Sequence, residues 1–163
     1  MTALIGTAVV VWEAEVAASS PLTLPALELS MNPRIQIIHS YFDKVVLGDV
    51  EQLSRFWHDN IVFEAVFSFT GGSSRTEGKA AVFERLSHSY GLVSMAFHIT
   101  SIHETTDPED FFVEYFSEGQ MVATGDRYSN QYITQICFTD GLISLFREFY
   151  DPQKTAVAFS GLI

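Results

Sequence analysis

Disulfides, basic patches, clustered metal ligands and membrane-length apolar runs are all scarce or missing in this sequence of 163 residues. Its one cysteine, Cys137, has no internal partner, so no disulfide framework is expected and the chain reads as one kept in a reducing, cytoplasmic compartment. Nine Lys+Arg against 20 Asp+Glu give a formal charge of -11, which repels phosphate backbones and argues against a nucleic-acid partner. The apolar run from Ala3 to Trp12 falls short of the roughly 20 residues a bilayer helix needs. No basic residue precedes that run, and Glu13 and Glu15 stand where a cleavage region would begin, so neither a membrane span nor a secretory signal is predicted. The histidines, at 39, 58, 88, 98 and 103, are scattered, with no His-x-x-x-His pair and no cysteine cluster, which predicts no metal site. No Gly-x-Gly-x-x-Gly or P-loop implies a nucleotide cofactor, and no Gly-x-Ser-x-Gly elbow implies a serine nucleophile. The expected cofactor list is empty.

What the chain does hold is apolar and aromatic mass: 47% hydrophobic residues, with 14 phenylalanines, under an acidic surface. That is enough for one compact domain with its own core. Residues 31–163 are read as that domain. Residues 1–30 form an N-terminal extension without Lys or Arg, in which Val9 to Val16 is either an edge strand or packing for a partner subunit, before Ser19-Ser20-Pro21 and Pro25. The alternative is a dispensable leader, with Met31 the effective start.

Asn32-Pro33 reads as an N-cap and a first-turn proline, and Ile35, Ile38, Phe42 and Val45 follow at helical spacing, so a first helix ending at Gly48 is predicted. Asp49 caps a second, with Val50, Leu53, Phe56 and Trp57 inward. Ile61 to Phe67 reads as a strand, Gly71-Gly72-Ser73-Ser74 as a turn, and a short strand leads to Glu77-Gly78. A third helix runs from Lys79 to about Tyr90, with Ala81, Phe83 and Leu86 apolar. Four strands follow: Val93 to His103, Phe111 to Phe116, Tyr128 to Phe138 and Leu142 to Tyr150, the last pair joined at Asp140-Gly141. Three helices and then consecutive hairpins make an α+β fold, helices on one face of a curved antiparallel sheet.

This order, over residues 34 to 152, resembles the nuclear transport factor 2-like superfamily and its SnoaL-like branch. Within it, Glu104-Thr105-Thr106-Asp107-Pro108, Phe111, Val113-Glu114, Asn130, Tyr132-Ile133, Gly141, Ile143, Arg147-Glu148-Phe149 and Pro152 are similar to the phenazine biosynthesis A/B family. The resemblance implies a cone-shaped sheet wrapped around a small-molecule pocket, three helices on its concave side, a homodimer, and cofactor-free chemistry of secondary metabolism on an aromatic or polycyclic substrate.

The last strand carries the leading candidate. With a period of two, Ser144, Phe146, Glu148 and Tyr150 share one face, and a carboxylate among aromatics on a concave face is desolvated enough to exchange protons near neutral pH. Glu148 also matches the acid-base glutamate of the phenazine A/B family. Set against this is the plainer alternative of a cross-strand or solvent-facing glutamate. The same resemblance places a histidine and, four residues on, a serine on the third helix. Ser89 fits, but the histidine position holds Arg85, a residue able to bind an oxyanion but not to shuttle protons. His88 is the candidate to take over that proton-transfer role, or else an exposed helical histidine. Asn130 and Tyr132 alternate along one strand face and could hold a ligand's oxygens; His98 is inward if the face of Ala96, Thr100 and Ile102 is concave; Glu64 could reach the pocket mouth. Glu114 is read as outward. The expected function is an isomerase- or cyclase-type enzyme moving protons on a carbonyl or imine. The alternative is a non-catalytic ligand-binding or dimerisation module, and Asp126-Arg127 gives a faint hint of epoxide hydrolysis.

Overall fold

The computed structural model describes residues 32–45 and 48–160. The N-terminal extension, with its expected edge strand, lies outside the described residues. Helix α1 spans Pro33–Val45, and Asn32 caps it as expected, its Oδ1 accepting from the Arg34 amide at 3.0 Å. Ile38, Tyr41, Phe42 and Val45 form its buried stripe. Gly48, at φ +62, makes the left-handed turn that leads into α2, Val50–Ser54, capped by the Asp49 side chain.

Helix α2 is shorter than its apolar pattern suggests. Trp57, predicted on the helix, instead opens strand β1, Trp57–Ala65, where it pairs with Ile143. Strand β2 (Ser74–Glu77) folds back on β1, α3 spans Lys79–Tyr90, and β3 (Val93–Glu104), β4 (Asp110–Met121), β5 (Arg127–Thr139) and β6 (Leu142–Tyr150) follow. Val82 and Leu86 are the buried residues of α3; Phe83, one of the apolar residues that marked the helix in the sequence, is 38% exposed. A fourth helix, α4 (Pro152–Phe159), was not anticipated, although Asp151-Pro152 has the form of an N-cap and first-turn proline.

The six strands form one sheet in the order β2-β1-β6-β5-β4-β3. Neighbours are antiparallel except β1 and β6, which run parallel, so β6 is flanked on both sides. Register shifts in β1, β3 and at the start of β6 bend the sheet. In β6 the shift also moves Ser144 from the face where strict alternation puts it. Ser144 bonds Thr139 Oγ1 and the Cys137 carbonyl, while Ile143 takes the core position with Phe146. Along β5 every second residue from Tyr128 to Phe138 is buried, so one face is interior throughout. The main core joins α1 and α3 to that face through Phe42, Leu86, Phe63, Phe111, Tyr115, Ile136 and Phe146.

Candidate active site

Where α1 and α3 lean on the curved sheet, the core does not close. A cavity of about 460 Å³ remains, walled by Phe42, Phe63, Phe97 and Phe146. All six tyrosines of the chain line it: Tyr41, Tyr90, Tyr115, Tyr128, Tyr132 and Tyr150. Exposed Thr70 and His88 mark its mouth. Phe159 at the end of α4 stacks on Phe69, centroids 5.7 Å apart, and both line the same cavity.

Among the described residues, one carboxylate, Glu148, lines this space. β6 holds Glu148 in register with Thr134 on one side and Ala65 on the other, so its backbone is fixed by two strands. The Tyr115 hydroxyl donates to Glu148 Oε1 at 2.8 Å and lies 2.9 Å from Thr134 Oγ1. With Glu148 ionised, Tyr115 spends its proton on the carboxylate, so Thr134 is the donor to Tyr115. Burial pushes the Glu148 carboxyl up to about 7, outweighing the Tyr115 hydrogen bond and the Arg85 charge, both of which favour the ionised form. At neutral pH both protonation states are therefore populated.

Arg85 is the cationic neighbour. Its guanidinium lies over the Phe63 ring, 4.9 Å from the centroid, and donates to Thr76 Oγ1 at 2.9 Å and to the Ser74 carbonyl at 3.3 Å. Burial lowers its pKa and the nearby Glu148 and Tyr150 raise it, yet a guanidinium stays charged. The cavity thus combines apolar walls, a cation held by Thr76 and Ser74, and a carboxyl that burial raises toward neutrality. Among the described residues no His, Cys, Asp or Glu cluster could hold a metal ion.

The SnoaL-like domain description matches residues 38–146. The chain belongs to the SnoaL-like family. A PhzA/B-like protein of Pseudomonas aeruginosa, itself uncharacterised, is 24% identical over 81% of this chain and 93% of its own. A candidate isomerase from Bacillus subtilis superposes with a TM-score of 0.73 at 24% identity, covering 79% of this chain and 94% of that one. The Mycobacterium tuberculosis protein RV0760c, solved with estradiol-17beta-hemisuccinate, gives 0.66 at 15% identity over 76% and 97%. The nuclear transport factor 2-like fold is thereby shown.

In this SnoaL-like cavity the structure assembles Glu148, Arg85, His88, Ser89 and Tyr132 from the expected set. Ser89 Oγ donates back to the Arg85 carbonyl at 3.0 Å, which leaves its oxygen as an acceptor. The Tyr132 ring stacks flat on Tyr115, 4.7 Å between centroids, and its hydroxyl meets Ser117 and Tyr128.

Three expected residues lie elsewhere. Asn130 is 2% exposed and committed to the fold: its amide donates to the Asp151 carbonyl, Tyr128 and Thr155, and its Oδ1 accepts from the Gln131 and Asp151 amides. It fastens α4 to β5 and has nothing left for a ligand. His98 faces outward and stacks on Phe116 at 4.8 Å, because Phe97 and Ile99 take the inner face before the β3 register shift. Glu64 is on the opposite face of β1 from Phe63. Arg147 Nε reaches it at 2.7 Å and Arg75 at 3.6 Å, and those guanidiniums with Ser73 hold its carboxyl below the usual range. Asp126 and Arg127 border a separate surface depression, away from Glu148. Glu114 is exposed and meets His103 at 3.0 Å, as its outward assignment required.

Sequence reasoning missed Tyr115, the hydrogen-bond donor to Glu148. The signal was present: once Glu114 is outward, alternation sends Phe111, Val113, Tyr115 and Ser117 inward, and all four are buried.

Proposed function

We propose that this protein is a cofactor-independent acid-base enzyme that moves protons on an enolisable carbonyl or imine compound with a flat, aromatic or polycyclic skeleton. The observation that carries the reading is Glu148: a carboxyl poised near pH 7 inside an aromatic-walled cavity. As a carboxylate it takes a proton from the carbon next to the carbonyl. As an acid it returns that proton to another carbon or to a leaving oxygen, which gives isomerisation, ring closure or dehydration from one residue. Tyr115 occupies Oε1, which leaves Oε2 as the oxygen available to the substrate. Arg85 offers charge to a substrate oxygen, and His88 at the mouth is a second site for proton exchange with solvent. The isomerase description of the Bacillus fold relative and the steroid ester held by RV0760c support this class and size of ligand.

The alternative of a non-catalytic ligand-binding or dimerisation module predicts side chains filling the cone and Glu148 in bulk water; the open cavity together with its buried, inward carboxyl supports the enzymatic reading. A homodimer fits the opposite face of the sheet, where Phe67 is 55% and Ile133 46% exposed beside Phe149. A monomer in sedimentation at micromolar concentration would remove that part. The test of the chemistry needs no knowledge of the natural substrate. Deuterium exchange at the enolisable carbons of a panel of bicyclic ketones, beginning with 2-tetralone, is followed by NMR. The wild-type chain accelerates exchange and Glu148→Gln does not; no acceleration across the panel, or equal rates in both proteins, sinks the proposal.

A further inference from the structure

The six cavity phenols are not equivalent. Those of Tyr115, Tyr128 and Tyr132 are engaged with protein partners. Tyr41 sits deep in the aromatic core against Phe42, Phe56 and Phe146, and the Trp57 indole N–H is the neighbour of its hydroxyl. The hydroxyls of Tyr90 and Tyr150 have no hydrogen bond to any described residue, and both open on the cavity rather than being sealed in the core. Of these two, Tyr150 is two residues from Glu148 on the same strand face, so both side chains project into one space at a fixed offset. Its backbone pairs with Tyr132, whose ring braces it at 5.9 Å.

We propose that Tyr150 is the oxyanion donor of this site: its phenol O–H holds the substrate's carbonyl oxygen while Glu148 exchanges the proton on the adjacent carbon. The inference rests on the acid-base reading of Glu148 and adds a directional hydrogen-bond donor to the charge that Arg85 offers the substrate oxygen. When the carboxylate removes the proton, the C–H pair becomes the C=C bond, the carbonyl π pair moves to oxygen, and an enolate forms. Once Glu148 has traded that proton for a solvent deuteron, delivery to the same carbon completes exchange, and where the enolate is conjugated with a further C=C bond, delivery to its far carbon completes isomerisation, with no oxidant or second reactant. The negative charge appears on oxygen, and a phenol held beside Glu148 by its pairing with Tyr132 is placed to stabilise it with little reorganisation. Tyr150 meets the requirement of staying protonated: burial first, then the Glu148 charge, push its phenol up to about 12. Arg85, tied to Thr76 and Ser74, supplies background charge to the same region.

The full-length chain is assayed for deuterium exchange into 2-tetralone and for binding of 2-naphthol, a planar mimic of the enol, with naphthalene as the oxygen-free control. Tyr150→Phe is expected to lower kcat for exchange by about a hundredfold, the cost of losing one oxyanion donor, with KM within about threefold. It should also weaken 2-naphthol about tenfold while leaving naphthalene binding unchanged. Retention of more than a third of kcat, or equal weakening of naphthol and naphthalene, overturns the assignment, as does an equivalent loss in Tyr90→Phe without one in Tyr150→Phe. If the phenylalanine variant fails to fold, 3-fluorotyrosine at position 150, a stronger donor of nearly the same shape, should tighten 2-naphthol, and no change would count against the proposal. The two readings separate cleanly: exchange surviving in Tyr150→Phe but lost in Glu148→Gln removes only the oxyanion donor, whereas exchange surviving in Glu148→Gln removes the acid-base reading itself.

Discussion

Holding a carboxyl at about 7 inside the fold has a stability cost that can be measured without a substrate. Glu148 titrates near 4.5 in an unfolded chain and near 7 in the folded one, so the native state binds the proton more tightly. Below pH 4.5 both states are protonated and nothing is lost. Between about 4.5 and 7 the native state holds more proton than the unfolded state, so stability falls as pH rises. Above 7 the full cost is present, and the separation of the two values converts to about 3 kcal/mol. Glu148→Gln removes the titration while keeping shape and a hydrogen-bond acceptor for Tyr115. Urea unfolding at a series of pH values from 4 to 8.5 should therefore show the variant and wild type equally stable at the acid end. The variant should become progressively more stable above pH 5, by up to about 3 kcal/mol at pH 8, or roughly 10 °C in Tm for a domain of this size. Other carboxylates titrate in both proteins and cancel in the difference. A stability difference that stays flat with pH, or a variant less stable than wild type at pH 8, would refute the reasoning that Glu148 is desolvated.

Tyr115→Phe removes the hydrogen bond that favours the charged carboxylate, so Glu148 should titrate above 7 and the limb of the exchange-rate profile on which it acts as a base should move to higher pH. Asn130→Leu leaves the partners of its amide and carbonyl buried and unpaired, which should cost about 2 to 3 kcal/mol in chemical denaturation and expose α4 to limited proteolysis before the sheet unfolds. Arg147→Ala strips Glu64 of its closest cation. Because Glu64 has a depressed pKa, the stabilisation is present above its ordinary titration range and disappears in acid; the variant should lose about 1 kcal/mol at pH 7 and little at pH 3.

The strands were legible where side chains alternate without interruption, while the parallel pairing of β1 with β6 was not. Tyr128 to Phe138 announced a strand with one buried face, and Phe146, Glu148 and Tyr150 announced their shared inward face. Reading failed where the backbone steps out of alternation. Ser144 was assigned inward because a register shift leaves no mark in the residue pattern, and His98 was turned the wrong way because the inner face of β3 could not be identified before its partners were known. Trp57 shows the other failure: an apolar residue at helical spacing was captured by parallel pairing with β6, a partner more than eighty residues away. Asn130 matched the resemblance and the alternation, yet α4, unseen in the pattern, and its own strand together take its hydrogen-bonding groups.

That every tyrosine of the chain faces one cavity makes the protein its own reporter. Phenol-directed chemistry, whether nitration, iodination or biosynthetic fluorotyrosine labelling, places every tyrosine mark on the lining of the prospective substrate's cavity. A ligand that enters should shield several of these phenols together, whereas a molecule bound elsewhere on the protein should leave their reactivity untouched. A compound library can then be sorted by site of binding before any reaction has been observed.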